Sequence, residues 1–137
     1  MWATRERLWV DRMASAWLIR RFVDREARFK FVAPRGYRPK PGEIRFDMYD
    51  AEFSHDGARC TFETLVAHFR LRARGLRAIA EVVHDLDCKD GKFARPEAVG
   101  IGAAVDGIAR SPGSDRARLA AAARLFDRLY VELGRAR

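Results

Sequence analysis

The sequence predicts an α-rich α/β fold: a single domain of about five helices with a small sheet of two or three short strands. Three observations support this prediction. Apolar residues recur at helical spacing over most of the chain after residue 60, and short alternating segments occur in its first third. The 137 residues, 48% of them hydrophobic, suit one core that buries roughly two-thirds of the unfolded surface. We therefore expect residues 1–137 to form one domain.

The strands are expected in the first 50 residues. Residues 2–10 mix aromatic, β-branched and charged side chains, which indicates a short strand or an extended lead-in. Residues 28–32 alternate polar and apolar like a half-buried strand, and residues 44–47 form a second short candidate. The Pro- and Gly-rich loop between them carries a basic-aromatic patch, either a contact for an anionic partner or a solvated turn: Arg35, Tyr37, Arg38 and Lys40.

The first helix is predicted over residues 12–23, with Asp11 as its N-cap. It is apolar on almost every side in its first turns, which places it in the middle of the domain. A second helix is expected to begin at Thr61, which would be its N-cap.

A third helix carries an apolar face at residues 76, 79, 83 and 86. Stepping 100° per residue places Asp87 inside this apolar sector and His84 on its margin. A carboxylate on a buried face needs a partner, because an unpaired buried charge is very costly.

Two further helices complete the prediction. The fourth starts at residues 95–98, with Pro96 in its first turn, and continues to Ile108. The fifth is long and amphipathic, is capped by Ser114 or Asp115, and ends at Gly134.

Residue types that bind metals or move protons gather in residues 52–90. This window holds all three histidines and both cysteines, and residues 47–90 carry 9 acidic and 6 basic side chains in a chain of net charge +8. Three pairs in it share a spacing of three positions, which on a helix places both side chains on one side: Glu52 with His55, Cys60 with Glu63, and His84 with Asp87.

This pattern predicts a metal site. Its ligands would be His55, Glu63, His84 and Asp87, with Cys60 or Glu52 close by. Mixed imidazole and carboxylate ligands suit zinc, iron or manganese. The alternatives are structural roles: His55 would form a hydrogen bond to a turn carbonyl, and a buried arginine would neutralise Asp87.

Two other chemistries are open to these residues. Arg12, with Arg20 or Arg21, offers planar guanidinium groups to a tetrahedral oxyanion, or else forms an ordinary internal salt bridge. Cys60 would be a reactive thiolate if it lies at a helix N-terminus, where the dipole lowers a thiol pKa, or else an inert core residue. His68 faces away from its apolar neighbours and is expected at the surface.

Composition narrows the function classes. The N-terminus has no apolar signal region and no uncharged apolar run approaches a membrane span, so we expect a soluble, cytoplasmic protein with no membrane partner. The two cysteines are expected to be free thiols or a metal ligand rather than a disulfide. Phosphate-binding loops, dinucleotide fingerprints and nucleophile elbows are absent from the sequence.

Several runs of the sequence resemble the chromate resistance domain of ChrB-like proteins. The runs are Trp2-x-Thr4-Arg5, residues 10–22 (VDRMASAWLIRRF), Phe46-Asp47, residues 52–55 (EFSH), residues 60–63 (CTFE) and residues 125–130. The resemblance covers nearly the whole chain. In this family the domain often follows an additional N-terminal region or is fused to a rhodanese-like module, and we expect neither here, which removes one support for DNA binding.

The resemblance implies an accessory role in the response to chromate or oxyanion stress. Combined with the residue pattern, it leads to a domain with a metal-binding polar pocket. If the protein is an enzyme, of hydrolase or redox type, the metal would activate water or bind an oxyanion, and His55 or Glu63 would transfer the proton. The alternative is a non-enzymatic chromate sensor or transcriptional regulator that binds the oxyanion through its arginines and contacts DNA.

Overall fold

The computed structural model describes residues 1–135, so the last two residues of the predicted domain lie outside it. Three strands form a parallel sheet in the order β2-β1-β3: β1 (Trp2–Arg5), β2 (Phe29–Val32) and β3 (Ile44–Arg45). Trp2 of the central strand pairs with Phe29 on one side and with Ile44 on the other. Parallel strands need crossover connections, and a helix supplies the one between β1 and β2.

The described residues form five α-helices. They are α1 (Val10–Leu18), α2 (Thr61–His68), α3 (Arg74–Cys88), α4 (Ala98–Ala109) and α5 (Asp115–Leu133). The predicted fold class, an α-rich α/β fold with a small sheet, is therefore confirmed. No helix within residues 1–135 combines the length and the apolar character that crossing a lipid bilayer requires.

Helix α1 lies at the centre of the molecule, as its nearly all-round apolar sequence predicts. All nine of its residues are buried, and it packs against α2, α3 and α5. Its neighbours α3 and α5 are in close contact at Gly75, where an added Cβ would lie 2.5 Å from the carbonyl oxygen of Tyr130. Only a glycine fits this crossing without displacing a helix.

The first helix differs from its predicted bounds at both ends. It begins at Val10 with Trp9 as the N-cap, so Asp11 is not the N-cap but a residue of the first turn. It ends at Leu18 and continues as a π-helical turn over Ile19–Val23, closed by the backbone N–H of Asp24 on the carbonyl of Ile19 at 2.7 Å. The hydrophobic pattern predicts that the segment is helical, but it does not predict a local change from α-helical to π-helical hydrogen bonding.

Two of the other helix ends also differ from the prediction. Cys60, not Thr61, is the N-cap of α2, and α4 begins at Ala98, which leaves Pro96 in the preceding turn. The prediction for α5 is confirmed, because the Ser114 side chain accepts the backbone N–H of Ala117 and Gly134 is the C-cap.

Candidate functional site

Asp11 connects the starts of two helices. It lies in the first turn of α1, and its side chain is 3% exposed. Its Oδ2 accepts the backbone N–H of Thr61 and its Oδ1 accepts that of Phe62, both at 2.9 Å. These two N–H groups have no partner inside α2, so a carboxylate from another helix satisfies them. The Asp11 carboxylate is thereby held in one fixed orientation.

His55 lies between two aspartates. Its Nε2 is 3.2 Å from Oδ2 of Asp11 and 3.0 Å from Oδ2 of Asp87, which lies on α3. The hydrogen bond to Asp11 outweighs partial burial and, with the charge of Asp87, raises the pKa of His55 to about 9. Burial and the nearby charge of Asp11 raise the pKa of Asp87. We call Asp11, His55 and Asp87 the acid–histidine cluster.

The geometry of the acid–histidine cluster matches the ligand requirements of a transition metal. One ligand atom from each residue lies within 4.8 Å of the others. In a tetrahedral site with bonds of about 2.1 Å, ligand atoms lie about 3.4 Å apart, slightly more than the 3.0 and 3.2 Å observed around Nε2. A modest outward movement of the half-exposed His55 would open the space for an ion.

A buried ion pair between Arg12 and Asp47 is connected to the cluster through Thr61. Arg12 lies 3.3 Å from Oδ2 of Asp47 through its Nε and also donates to the carbonyl oxygens of Asp47 and Arg7. The other carboxylate oxygen of Asp47 accepts the hydroxyl of Thr61 at 3.0 Å. Burial and the charge of Asp11 raise the pKa of Asp47 to about 6. Thr61 thus contacts both buried aspartates and ties them to the start of α2.

His84 and Glu63 belong to a second polar group rather than to the cluster. Nδ1 of His84 lies 2.6 Å from Oε1 of Glu63, and its Nε2 lies 2.9 Å from Oδ2 of Asp90. Burial alone would lower the pKa of His84, but the bonds to Glu63 and Asp90 outweigh it and raise that pKa. Within residues 1–135, the group of ligand atoms that converges includes Asp11, His55 and Asp87 but not His84.

The side chains of His55, Glu63, His84 and Asp87 do not all meet at one point in the structure. The structure brings together two of the four and adds Asp11. The predicted burial on α3 is also reversed, since His84 is fully buried and the Asp87 side chain is 19% exposed. Helical stepping locates the apolar face of α3 but not the loop residues that cover its end.

Cys60 and Glu52 are not among the converging ligand residues of the cluster. Cys60 is buried at the N-cap of α2 and its backbone N–H donates to Oε1 of Glu63 at 3.0 Å. Burial, reinforced by the charge of Asp11, raises the pKa of the Cys60 thiol, opposite to the lowering that a reactive thiolate needs. Glu52 forms an exposed ion pair with Arg45 at 2.8 Å. Both cysteines are free thiols, as predicted.

The arginines proposed as oxyanion ligands are engaged internally. Arg12 is 7% exposed and bonded to Asp47, which matches the internal salt bridge considered as its alternative. Arg20 donates to the carbonyl of Ala27 and lies over the ring of Phe29, 4.8 Å from its centroid. His68 is exposed, as predicted.

Sequence reasoning did not single out Asp47 or Asp90. The sequence feature that points to them is their position within the acidic stretch of residues 47–90. This position does not distinguish them from exposed acids such as Asp56. Asp47 pairs with Arg12, which is distant in the chain, and Asp90 pairs with His84 across a turn. Local spacing does not reveal such pairs.

The fold and the cluster define a small, α-rich α/β domain whose first helix presents a buried carboxylate to a histidine and a second acid. The family model described as "ChrB, C-terminal domain" matches residues 2–133, and the chain belongs to this family. It is 39% identical over 131 residues to "Protein ChrB" of Cupriavidus metallidurans. No solved structure matches the chain significantly.

The family membership predicted from the sequence is thereby confirmed. The similarity to Protein ChrB covers 95% of this chain but only 40% of that relative's length. The shared part is the domain described above.

Proposed function

We propose that this domain is an accessory component of the chromate or oxyanion stress response and that it binds a divalent metal ion at the acid–histidine cluster. The observation that carries the metal proposal is the convergence of Asp11, His55 and Asp87, whose ligand atoms lie within 4.8 Å of one another. Membership of the ChrB family supports the chromate role.

The charges at the cluster favour a cation. Two carboxylates face one imidazole nitrogen. Burial together with the charge of Asp11 raises the pKa of Asp87, because two neighbouring negative charges repel each other. A divalent ion would neutralise both acids and take the place of the proton on His55. One imidazole with two carboxylates suits zinc, iron or manganese better than calcium or magnesium.

Three protein ligands leave at least one coordination position open. The half-exposed side of His55 gives that position access to solvent, since its side chain is 50% exposed. A metal held in this way can take a water molecule or an oxyanion as a further ligand. This links the metal proposal to the oxyanion response in which the domain would act.

Proton transfer, if the domain is catalytic, is assigned to Glu63. His55 serves as a ligand in this proposal and its imidazole is then not free to accept a proton. Glu63 lies on the first turn of α2, the helix that Asp11 caps, and its bond to His84 provides a path for a proton. The catalytic role of Glu63 and the ligand role of His55 are both proposals.

Metal analysis of purified, untagged protein tests the proposal. The parent is expected to hold near-stoichiometric zinc, iron or manganese, and a His55→Ala/Asp87→Asn variant is expected to hold none while keeping its circular dichroism spectrum. His68→Ala removes an exposed histidine outside the cluster and is the matched control. A parent without metal after reloading with each ion, or a variant that keeps its metal, overturns the metal site.

The alternative role as a sensor that binds an oxyanion through Arg12 and Arg20 has less support. Both guanidinium groups are bonded to acceptors within the protein, so an anion would have to displace Asp47 or the carbonyl of Ala27. Binding of DNA stays a prediction.

A further inference from the structure

A basic cleft lies at the carboxyl ends of all three strands. It has a volume of about 620 Å³ and is lined by residues that end β1 and β3 or follow β2, among them Arg5, Arg35 and Arg45. In open parallel sheets, ligands bind in the crevice outside the carboxyl ends of the strands. The cleft does not include the acid–histidine cluster.

Three arginines of this cleft have no acidic partner in the part of the chain that the structure describes. Within residues 1–135, no carboxylate oxygen lies within 4.0 Å of the guanidinium nitrogens of Arg5, Arg35 or Arg38, and all three residues are exposed. Arg45 is paired with Glu52, and Asp50 is the carboxylate among the lining residues. The surplus of positive charge in a concave site attracts anions, and guanidinium groups fit phosphate oxygens in pairs.

An aromatic side chain stands beside these arginines without a packing role. Tyr49 is 88% exposed, the highest fraction among the exposed large hydrophobic residues of the described chain, and it lines the cleft. Water contact over a whole aromatic ring is unfavourable, so the ring gains free energy when a flat partner covers it. A nucleobase is such a partner, and base stacking on exposed tyrosines is common.

The loop that carries the basic residues is held in place from one side. Glu43 accepts the hydroxyl of Tyr37, the backbone N–H of Lys40 at 2.9 Å and the ammonium group of Lys30 at 3.0 Å. The hydrogen bond from Tyr37, followed by that from Lys40, lowers the pKa of Glu43 to about 2. Lys30 also lies over the Tyr37 ring, 4.9 Å from its centroid. These bonds restrain the loop at residues 37 and 40, on either side of Arg38.

We propose that this cleft binds a nucleoside phosphate, with the phosphates on Arg5, Arg35 and Arg38 and the base stacked on Tyr49. The same chemistry is offered by a free nucleotide and by a nucleotide within a single strand. The site is independent of the metal proposal, because none of its ligand-binding residues belongs to the acid–histidine cluster.

Calorimetric titration of the whole chain tests the site with ADP, with inorganic pyrophosphate and with a short oligothymidylate. ADP is expected to bind more tightly than pyrophosphate. Arg35→Ala/Arg38→Ala is expected to weaken ADP binding by about tenfold or more, since charge-assisted phosphate contacts are lost. Tyr49→Ala is expected to weaken it by about tenfold and to leave pyrophosphate binding unchanged.

The control variant is Arg124→Ala/Arg128→Ala, which removes the same charge from exposed positions on α5. Unchanged ADP affinity in this control supports a specific site. Saturable binding of the oligothymidylate alone assigns the site to a strand, and binding of ADP assigns it to a free nucleotide. The proposal is overturned if neither probe binds, if the control loses as much affinity as Arg35→Ala/Arg38→Ala, or if Tyr49→Ala leaves the affinity of the bound probe unchanged.

Discussion

Asp11 caps a helix to which it does not belong: its carboxylate accepts the backbone N–H of Thr61 at 2.9 Å, and that of Phe62 at the same distance. Both donors are buried at the start of α2, so removal of the carboxylate leaves two buried N–H groups without their protein acceptor. The stability of α2 therefore depends on a residue of α1.

Asp11→Ala is expected to lower the free energy of unfolding by about 2–4 kcal/mol, because two buried N–H groups lose their acceptor. Asp11→Asn keeps one acceptor oxygen and is expected to lose less. Urea unfolding followed by circular dichroism measures both in the presence of a chelator, with the exposed Asp56→Ala as control. An Asp11→Ala variant as stable as the control would contradict the capping role.

His84 is expected to make stability depend on pH. Its pKa in the folded protein is raised, so its contribution is fully present below about pH 6.5, the ordinary pKa of histidine, and is lost as pH rises through the folded value. The difference in unfolding free energy between the parent and His84→Gln should therefore shrink from mildly acidic to alkaline pH. Urea titrations at several pH values measure this difference.

Glu63→Gln provides the internal control for this pH effect. It removes the carboxylate whose hydrogen bond raises the His84 pKa, and it should flatten the dependence in the same pH window. A parent that gains stability over His84→Gln as pH rises would show that burial, not pairing, dominates at this histidine.

Both cysteines are expected to react slowly with thiol reagents at neutral pH. Burial raises the pKa of Cys60, and burial together with the charge of Asp87 raises the pKa of Cys88 to about 11. Because the thiolate is the reactive form, the labelling rate of native Cys60→Ser protein should increase as the pH approaches the pKa of Cys88. In Cys88→Ala protein the remaining thiol should be labelled only on unfolding. Rapid labelling of that variant in buffer would mean that Cys60 is accessible.

Two glycines should respond to alanine with opposite signs. Gly75→Ala places a Cβ 2.5 Å from a carbonyl oxygen and 2.8 Å from the ring of Tyr130, and should cost about 1–3 kcal/mol. Gly107→Ala, in α4 with nothing within 4 Å, should add about 0.4–1 kcal/mol by restricting the unfolded chain. Thermal and urea unfolding of the two variants compare them directly. Equal effects of the same sign would contradict the close crossing of α3 and α5.

The sequence predicted the elements well where one periodic face determines them. The long amphipathic stripe and Ser114 located α5, and the alternation of residues 28–32 located β2 within one residue. These patterns are local, because the spacing of side chains on one element already reveals which face is buried. The fold class follows from them.

The candidate site was predicted only in part, because its contacts join distant segments. Residue type and spacing point to His55 and Asp87, but they place the third residue of the cluster, Asp11, at the N-terminus of its own helix rather than at that of α2. His84 was grouped with the ligands although both of its nitrogens are paired elsewhere. Which carboxylate meets which nitrogen depends on how the loops cross the helix ends, and no spacing within one element encodes that.

The order of strands in the sheet has a consequence for folding kinetics. The strand made first, Trp2–Arg5, is the central one, and its two neighbours begin at Phe29 and Ile44. During synthesis the sheet cannot close until the ribosome has released the segment through Arg45, and α1 lacks its partners α2, α3 and α5 for longer still, because they follow later in the chain. This delay leaves Trp2 and the largely apolar surface of α1 exposed to aggregation, and it marks the stretch from Trp2 to Leu18 as the part of the chain where a chaperone would most affect the yield of folded protein.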